Sequence, residues 1–260
     1  MKFKVFYFEN INFWDILIKK DKKENILDSY QILAIILIVL LILLIIVLTS
    51  RNRIIKTYEK YMKIENKANM SGKDLAIFAK QKLQLDKLKF GVLDSKLCDA
   101  YSPKHNILIL SKEVCETASL SSLTIVSHEL GHAMQHKEDS ALFFLSRVLG
   151  KITRLMNKFI IPLLVIGLFL FVIKYPNEVL GMYLIYTSLG LFILHVLNQI
   201  LNVPVEYDAS RRALNFLKEN KLLTQSEYKK AKKLLSIAAQ TYIANLFDGL
   251  FILNTKKRKK

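Results

Sequence analysis

Long unbroken apolar runs alternate along this chain with stretches whose hydrophobic positions recur at helical or strand spacing. Ile32 to Leu48 is entirely apolar, bracketed by Ser29-Tyr30-Gln31 and Thr49-Ser50-Arg51. With its flanks it reaches the ~20 residues that a helix needs to cross ~30 Å of hydrocarbon. It is too deep in the chain and too long for a cleaved signal peptide. Phe159 to Ile173 and Val179 to Leu197 are two further runs, the second ending among His195, Asn198 and Gln199. The short turn Lys174-Tyr175-Pro176-Asn177-Glu178 joins them, so the pair reads as a transmembrane hairpin. Ile237 to Leu253 is weaker, interrupted by Gln240, Asn245 and Asp248. It suits an interfacial helix at least as well as a span.

Between the first and second runs the pattern is that of a folded domain. Ser71-Gly72-Lys73-Asp74 followed by Leu75, Phe78, Ala79 and Leu83 predicts a capped amphipathic helix. Phe90 to Leu93 and Ile107 to Leu110 predict short strands, with the turn-rich Asp99 to Asn106 as their link. Leu120, Leu123, Ile125 and Val126 predict a buried helix leading into Ser127. The resulting organisation is an extension over 1–31, a span over 32–50, a folded domain over 51–158, the hairpin over 159–201, and a helical region over 202–260.

Charge adds sidedness. The net charge is +17, but the lysines are scattered and no nucleic-acid-binding motif accompanies them. The partner expected for basic residues beside membrane segments is anionic lipid rather than nucleic acid. Residues 51–158 carry 19 Lys and Arg and residues 203–260 carry 13, against one in the hairpin turn and six, offset by five acids, in the first 31. Three spans place the two basic segments on one side, which the positive-inside rule makes the cytoplasm. Lys19, Lys20, Lys22 and Lys23, close to the first span, argue the other way. Cys98 and Cys115 supply neither a disulfide framework nor metal-ligand spacing, and read as reduced packing residues.

The candidate chemistry lies in Ser127-His128-Glu129-Leu130-Gly131-His132, an HExxH sequence. On a helix, His128 and His132 share a face about 6 Å apart along the axis, so both imidazoles can converge on one Zn2+. Glu129 between them can take the proton of the attacking water. HExxH also occurs as an ordinary polar run, but this one follows an apolar segment, and burying two histidines and a glutamate without a partner is costly. A third ligand is needed. His136 lies about 12 Å from His128 along a helix, too far to share the ion, and reads as a helix-end polar residue. His105 is in a loop. His195 sits in a span, where a functional and a packing role are equally open.

The better third ligand is Glu206, in Val203-Pro204-Val205-Glu206-Tyr207-Asp208. Pro204 with acids just beyond it reads as a helix start. Two membrane crossings return the segment to the side that holds His128. Asp208, about 200° from Glu206 around a helix, is the competing carboxylate, or an outer group holding a histidine N–H, with Arg211 and Arg212 as possible partners.

These motifs, with Thr57-Tyr58-x-Lys60-Tyr61, Ser71-Gly72, Asp99-x-Tyr101-x-Pro103, His132-Ala133-x-Gln135, Asp208-Ala209-Ser210-Arg211-Arg212-Ala213 and Ala238-Ala239-x-Thr241-Tyr242-x-Ala244, resemble the YugP-type family of bacterial membrane zinc metallopeptidases. The resemblance spans roughly residues 30–253 in order and implies a membrane-bound peptidase holding one Zn2+ and acting on protein or peptide substrates. Two departures stand out. Ala100-Tyr101 replaces the family's His-Tyr pair, and His136 replaces an acidic residue. Residues 1–29 have no counterpart. The expected fold is therefore a mainly α membrane protein, with about three transmembrane helices and a zincin-like catalytic domain of helices and a small sheet.

Two rivals remain. A site-2-type intramembrane protease would use Asp248 of Phe247-Asp248-Gly249 as third ligand. Against it, Lys112, Glu113, Glu116, Lys137, Glu138 and Asp139 flank the HExxH segment too closely for a full span. A catalytically inert scaffold would carry a structural zinc, which normally has four protein ligands including cysteine, and neither cysteine is near HExxH in sequence.

Overall fold

The computed structural model describes residues 52–173 and 178–244, together with positions 38, 41, 42, 45, 49 and 50, all helical. The first apolar run therefore lies largely outside the described residues. So do the hairpin turn, the end of the last apolar stretch and Asp248.

A helix over residues 52–62 (α1) leads into α2 (Gly72–Lys82), whose start is fixed by a full capping box between Ser71 and Asp74. Three strands follow, β1 (Lys89–Leu93), β2 (Ala100–Ser102) and β3 (Ile107–Ser111). They form a sheet ordered β1-β3-β2, with β1 parallel and β2 antiparallel to β3. Strand β2 lies inside the stretch whose composition predicts only a turn-rich link. Its three residues are too few for an alternating pattern to declare itself, and pairing with β3 supplies the order. Leu108 and Leu110 of β3 are buried, whereas β1 is exposed on most positions.

The short α3 (Lys112–Glu116) precedes α4 (Leu120–Lys137), capped by Ser119, which carries HExxH. Leu120, Leu123, Val126, Leu130 and Ala133 of α4 are buried. All but Leu120 meet Leu75 and Ala79 of α2, Leu108 and Leu110 of β3, and Phe216 and Leu217 in the main core. A second cluster joins Tyr61, Leu120, Ala213, Leu214, Leu234 and Leu235.

Helices α5 (Ala141–Ile173) and α6 (Glu178–Glu219) are long, and α7 (Gln225–Ala244) follows. At 1.5 Å per residue α5 and α6 measure about 50 and 63 Å, more than a bilayer requires. Both are long and apolar enough to cross a membrane, each with a best-window mean hydropathy of 1.8. They pack against each other where Gly167 and Gly181 let the backbones approach, since a Cβ on Gly181 would stand 2.8 Å from the Gly167 carbonyl oxygen. Their outer faces expose Val165, Phe169, Tyr183 and Tyr186, a surface suited to hydrocarbon rather than water.

α5 runs unbroken through 158–159 and α6 through 201–202, so the hairpin and the helical arms beside it are continuous rods. Pro204 is inside α6, not at a helix start. A proline removes one main-chain bond, but Val205 and Ala209 are buried on the next turns, and that packing holds the helix through. Local proline chemistry is outweighed by tertiary burial. The consequence is functional: the arm carrying Glu206 is a rigid extension of the third apolar run.

Candidate metal centre

Two helices build the site. On α4, His128 and His132 project from one face, with ring centroids 4.9 Å apart. On α6, the Glu206 carboxylate meets them, its Oε2 lying 3.1 Å from His128 Nε2 and 3.5 Å from His132 Nε2. One ligand atom from each of the three residues lies within 4.8 Å of the others. A tetrahedral zinc with bonds of 2.0–2.1 Å separates neighbouring ligand atoms by ~3.3 Å, so the two short distances suit such an ion. The three side chains are 14%, 13% and 10% exposed, which leaves the group shielded but reachable.

The helices come this close because Gly131 faces α6. A Cβ there would stand 2.4 Å from the Ala209 carbonyl oxygen. Only the absent side chain lets the helices that carry His132 and Glu206 share this contact.

Both histidines are oriented through their second nitrogen. Gln135 is buried, and its Nε2 donates to the Val205 carbonyl (2.8 Å) and to Asp208 Oδ2 (2.9 Å), which fixes the amide the right way round. Its Oε1 then faces His132 Nδ1 at 3.0 Å, so Nδ1 carries a proton and Nε2 is the nitrogen that a metal would take. His128 Nδ1 lies 3.3 Å from Ser210 Oγ, a hydroxyl that can donate or accept, so this contact orients the ring without fixing its tautomer. Asp208 touches neither histidine. It binds Arg211, Arg212 and Gln135, and Arg212 continues to Glu138 at 2.7 Å, so its link to His132 passes through Gln135. Gln135 and Ser210 are the residues that reasoning on ligands alone overlooks. Their signal is spacing: Gln135 is three residues from His132 and Ser210 four from Glu206, each pair sharing a helix face.

Glu129 points to β2, where the Tyr101 backbone N–H donates to its Oε2 at 2.7 Å. Burial pushes its carboxyl up from the usual range, opposed by the two histidines. Burial alone would lower His132, but the Glu206 and Glu129 carboxylates outweigh it and raise the metal-free imidazole to about 9. Burial likewise works to raise Glu206, yet its hydrogen bonds to both histidines hold it well below the usual carboxylate range.

The other candidates fall elsewhere. His136 Nδ1 meets the Tyr101 hydroxyl at 2.7 Å, at the end of α4. His105 is exposed on the turn before β3. His195 is buried in the hairpin beside Asn157 Nδ2 (2.8 Å), outside the ligand group. Asp99 accepts from the Ser111 N–H (2.7 Å) and ties the start of β2 to the end of β3. Among the described residues, neither cysteine belongs to a metal-binding group.

A family model described as "Putative neutral zinc metallopeptidase" matches residues 35–255. The chain belongs to this family. It is also 29% identical over 202 residues to "Putative membrane protease YugP" of Bacillus subtilis (strain 168), a match covering 77% of this chain and 85% of that relative. No solved structure matches the chain. The family read from the motifs is thus the family found.

Proposed function

We propose that this protein is a multi-pass membrane zinc endopeptidase, with one Zn2+ per chain held by His128, His132 and Glu206 and with Glu129 as general base. The observation that carries the reading is the convergence of the three ligand atoms, from two helices 78 residues apart in sequence, beside the Glu129 carboxylate. Zinc bound there supplies Lewis acidity, lowering the pKa of water towards ~7 and polarising the scissile carbonyl.

The chain's own residues do the rest. Gln135 and Ser210 hold the imidazoles so that each presents Nε2. The Tyr101 N–H holds one oxygen of Glu129, and burial raises the carboxyl's affinity for a proton, as a base working near neutral pH requires. Glu129 accepts the proton of the attacking water and passes it to the leaving amine. Beside Glu129 and His128, a cavity of about 220 Å³ is walled by Ile125, Leu234 and Leu235, which suits an apolar substrate side chain.

The apolar run over 32–48 and the α5–α6 pair supply three spans in this reading. The zincin-like domain and residues 203–260 then lie together on the cytoplasmic side, with membrane lipid and a peptide substrate as partners. Cleavage of a quenched-fluorescence peptide mixture by purified zinc-loaded protein, against Glu129→Gln, tests it. The variant should keep zinc and lose two to four orders of magnitude in rate. Equal cleavage by both would end the peptidase reading, and absence of cleavage by either would favour the inert scaffold.

A further inference from the structure

A second cavity, of about 520 Å³, lies where the end of α4 turns into α5. Gln135 and Phe143 form part of its wall. Both also touch His132, one through its hydrogen bond and the other by stacking at 5.9 Å. Three cations line the same space: Arg147 and Lys151 from α5, and Lys104 from the turn between β2 and β3. Asp139 is the one acid in the lining. Among the described residues, none of the three cations takes part in an ion pair. α5 carries no acidic residue along its whole length.

Unpaired cations around an aromatic-walled cavity at the metal's edge call for an anion. Resting on the peptidase reading, we propose that this cavity receives an acidic side chain of the peptide substrate, close to the scissile bond. Lys104 decides between this and lipid. Arg154 and Lys158 continue the α5 row beyond the cavity and suit headgroups, but Lys104 lines the cavity from a different element, the turn between β2 and β3. A substrate extended across the site would set an apolar side chain against Leu234 and Leu235 and a carboxylate against Arg147 and Lys151. Guanidinium and ammonium groups together bind such a carboxylate by charge-assisted hydrogen bonds.

The test reads binding, so it does not depend on turnover. Full-length Glu129→Gln protein in phosphatidylcholine nanodiscs is titrated with fluorescein-labelled Ala/Leu octapeptides. A single Glu is scanned through the positions, each peptide paired with its Gln counterpart. At one position the Glu peptide should bind roughly ten-fold tighter, a factor in keeping with one partly exposed charge-assisted contact. Adding Lys104→Gln, Arg147→Gln and Lys151→Gln together should abolish that preference while leaving affinity for the Gln peptide unchanged. Equal binding of every pair, or a preference that survives the triple change, overturns the proposal. Loss of the preference when phosphatidylglycerol is added to the disc also overturns it, by assigning the cations to headgroups. Failure of the peptidase reading would show separately, as equal cleavage by the protein with and without Glu129.

Discussion

Replacing Gly131 by alanine sets two physical effects against each other. By helix propensity alone the change favours α4 by about 1 kcal/mol. The new Cβ, however, would sit 2.4 Å from the Ala209 carbonyl oxygen and 3.0 Å from two more Ala209 backbone atoms. That is about 1 Å inside an ordinary contact, and backbone cannot rotate away as a side chain can. Either α4 and α6 part locally or both helices bend, with an overpacking cost of roughly 1–3 kcal/mol. The displacement falls one residue from His132 and on the partner helix of Glu206. Metal bonds tolerate only about 0.2 Å, and misplacement by about 1 Å can cost ~100-fold in rate. The expected outcome is a lower melting temperature, weakened zinc retention in competition with a chelator, and about a hundred-fold loss in peptide cleavage. Gly190→Ala is the control, because among the described residues nothing outside its own helical turn lies within 4 Å of its Cβ position. If Gly131→Ala keeps the parent's zinc affinity and melting temperature, the close crossing of α4 and α6 is not what assembles the site.

Asp208→Ala should weaken zinc retention by about 10- to 100-fold, since it frees one of two bonds orienting Gln135, whereas Glu206→Ala should lose the metal outright; chelator competition on both variants ranks them. The metal-free protein should lose melting temperature as pH rises from about 6.5 to about 9, because the raised His132 stabilises the fold only while protonated; the zinc-loaded protein should show no such fall in the same titration. Cysteine labelling of intact cells should protect a cysteine placed at Lys80 and modify one at Asn177; the reverse pattern would invert the proposed sidedness.

The chemistry was more legible than the path of the chain. His128 and His132 could be paired from spacing, because a helix of 3.6 residues per turn fixes which side chains share a face. Glu206 could be nominated because it follows a second apolar run on the returning side. What local pattern could not show was that α6 runs straight through Pro204, since the burial of Val205 and Ala209 that sustains it comes from a helix far off in sequence. For the same reason the role of Gln135 stayed hidden: its three partners, His132, Val205 and Asp208, meet only when α4 and α6 pack. Strand β2 escaped because three residues carry too little alternation, although its Tyr101 N–H proves to be what holds Glu129.

The central claim is the ligand set, and X-ray absorption at the zinc edge on the purified full-length protein and its Glu206→Ala variant tests it most directly. The account predicts one zinc per chain in the parent, with a shell of nitrogen and oxygen at about 2.0–2.2 Å, the multiple-scattering signature of two imidazoles, and no sulfur. It predicts that Glu206→Ala has lost the zinc or one oxygen of that shell. A zinc–sulfur shell at about 2.3 Å, or a parent-like spectrum and full zinc content in Glu206→Ala, would contradict it.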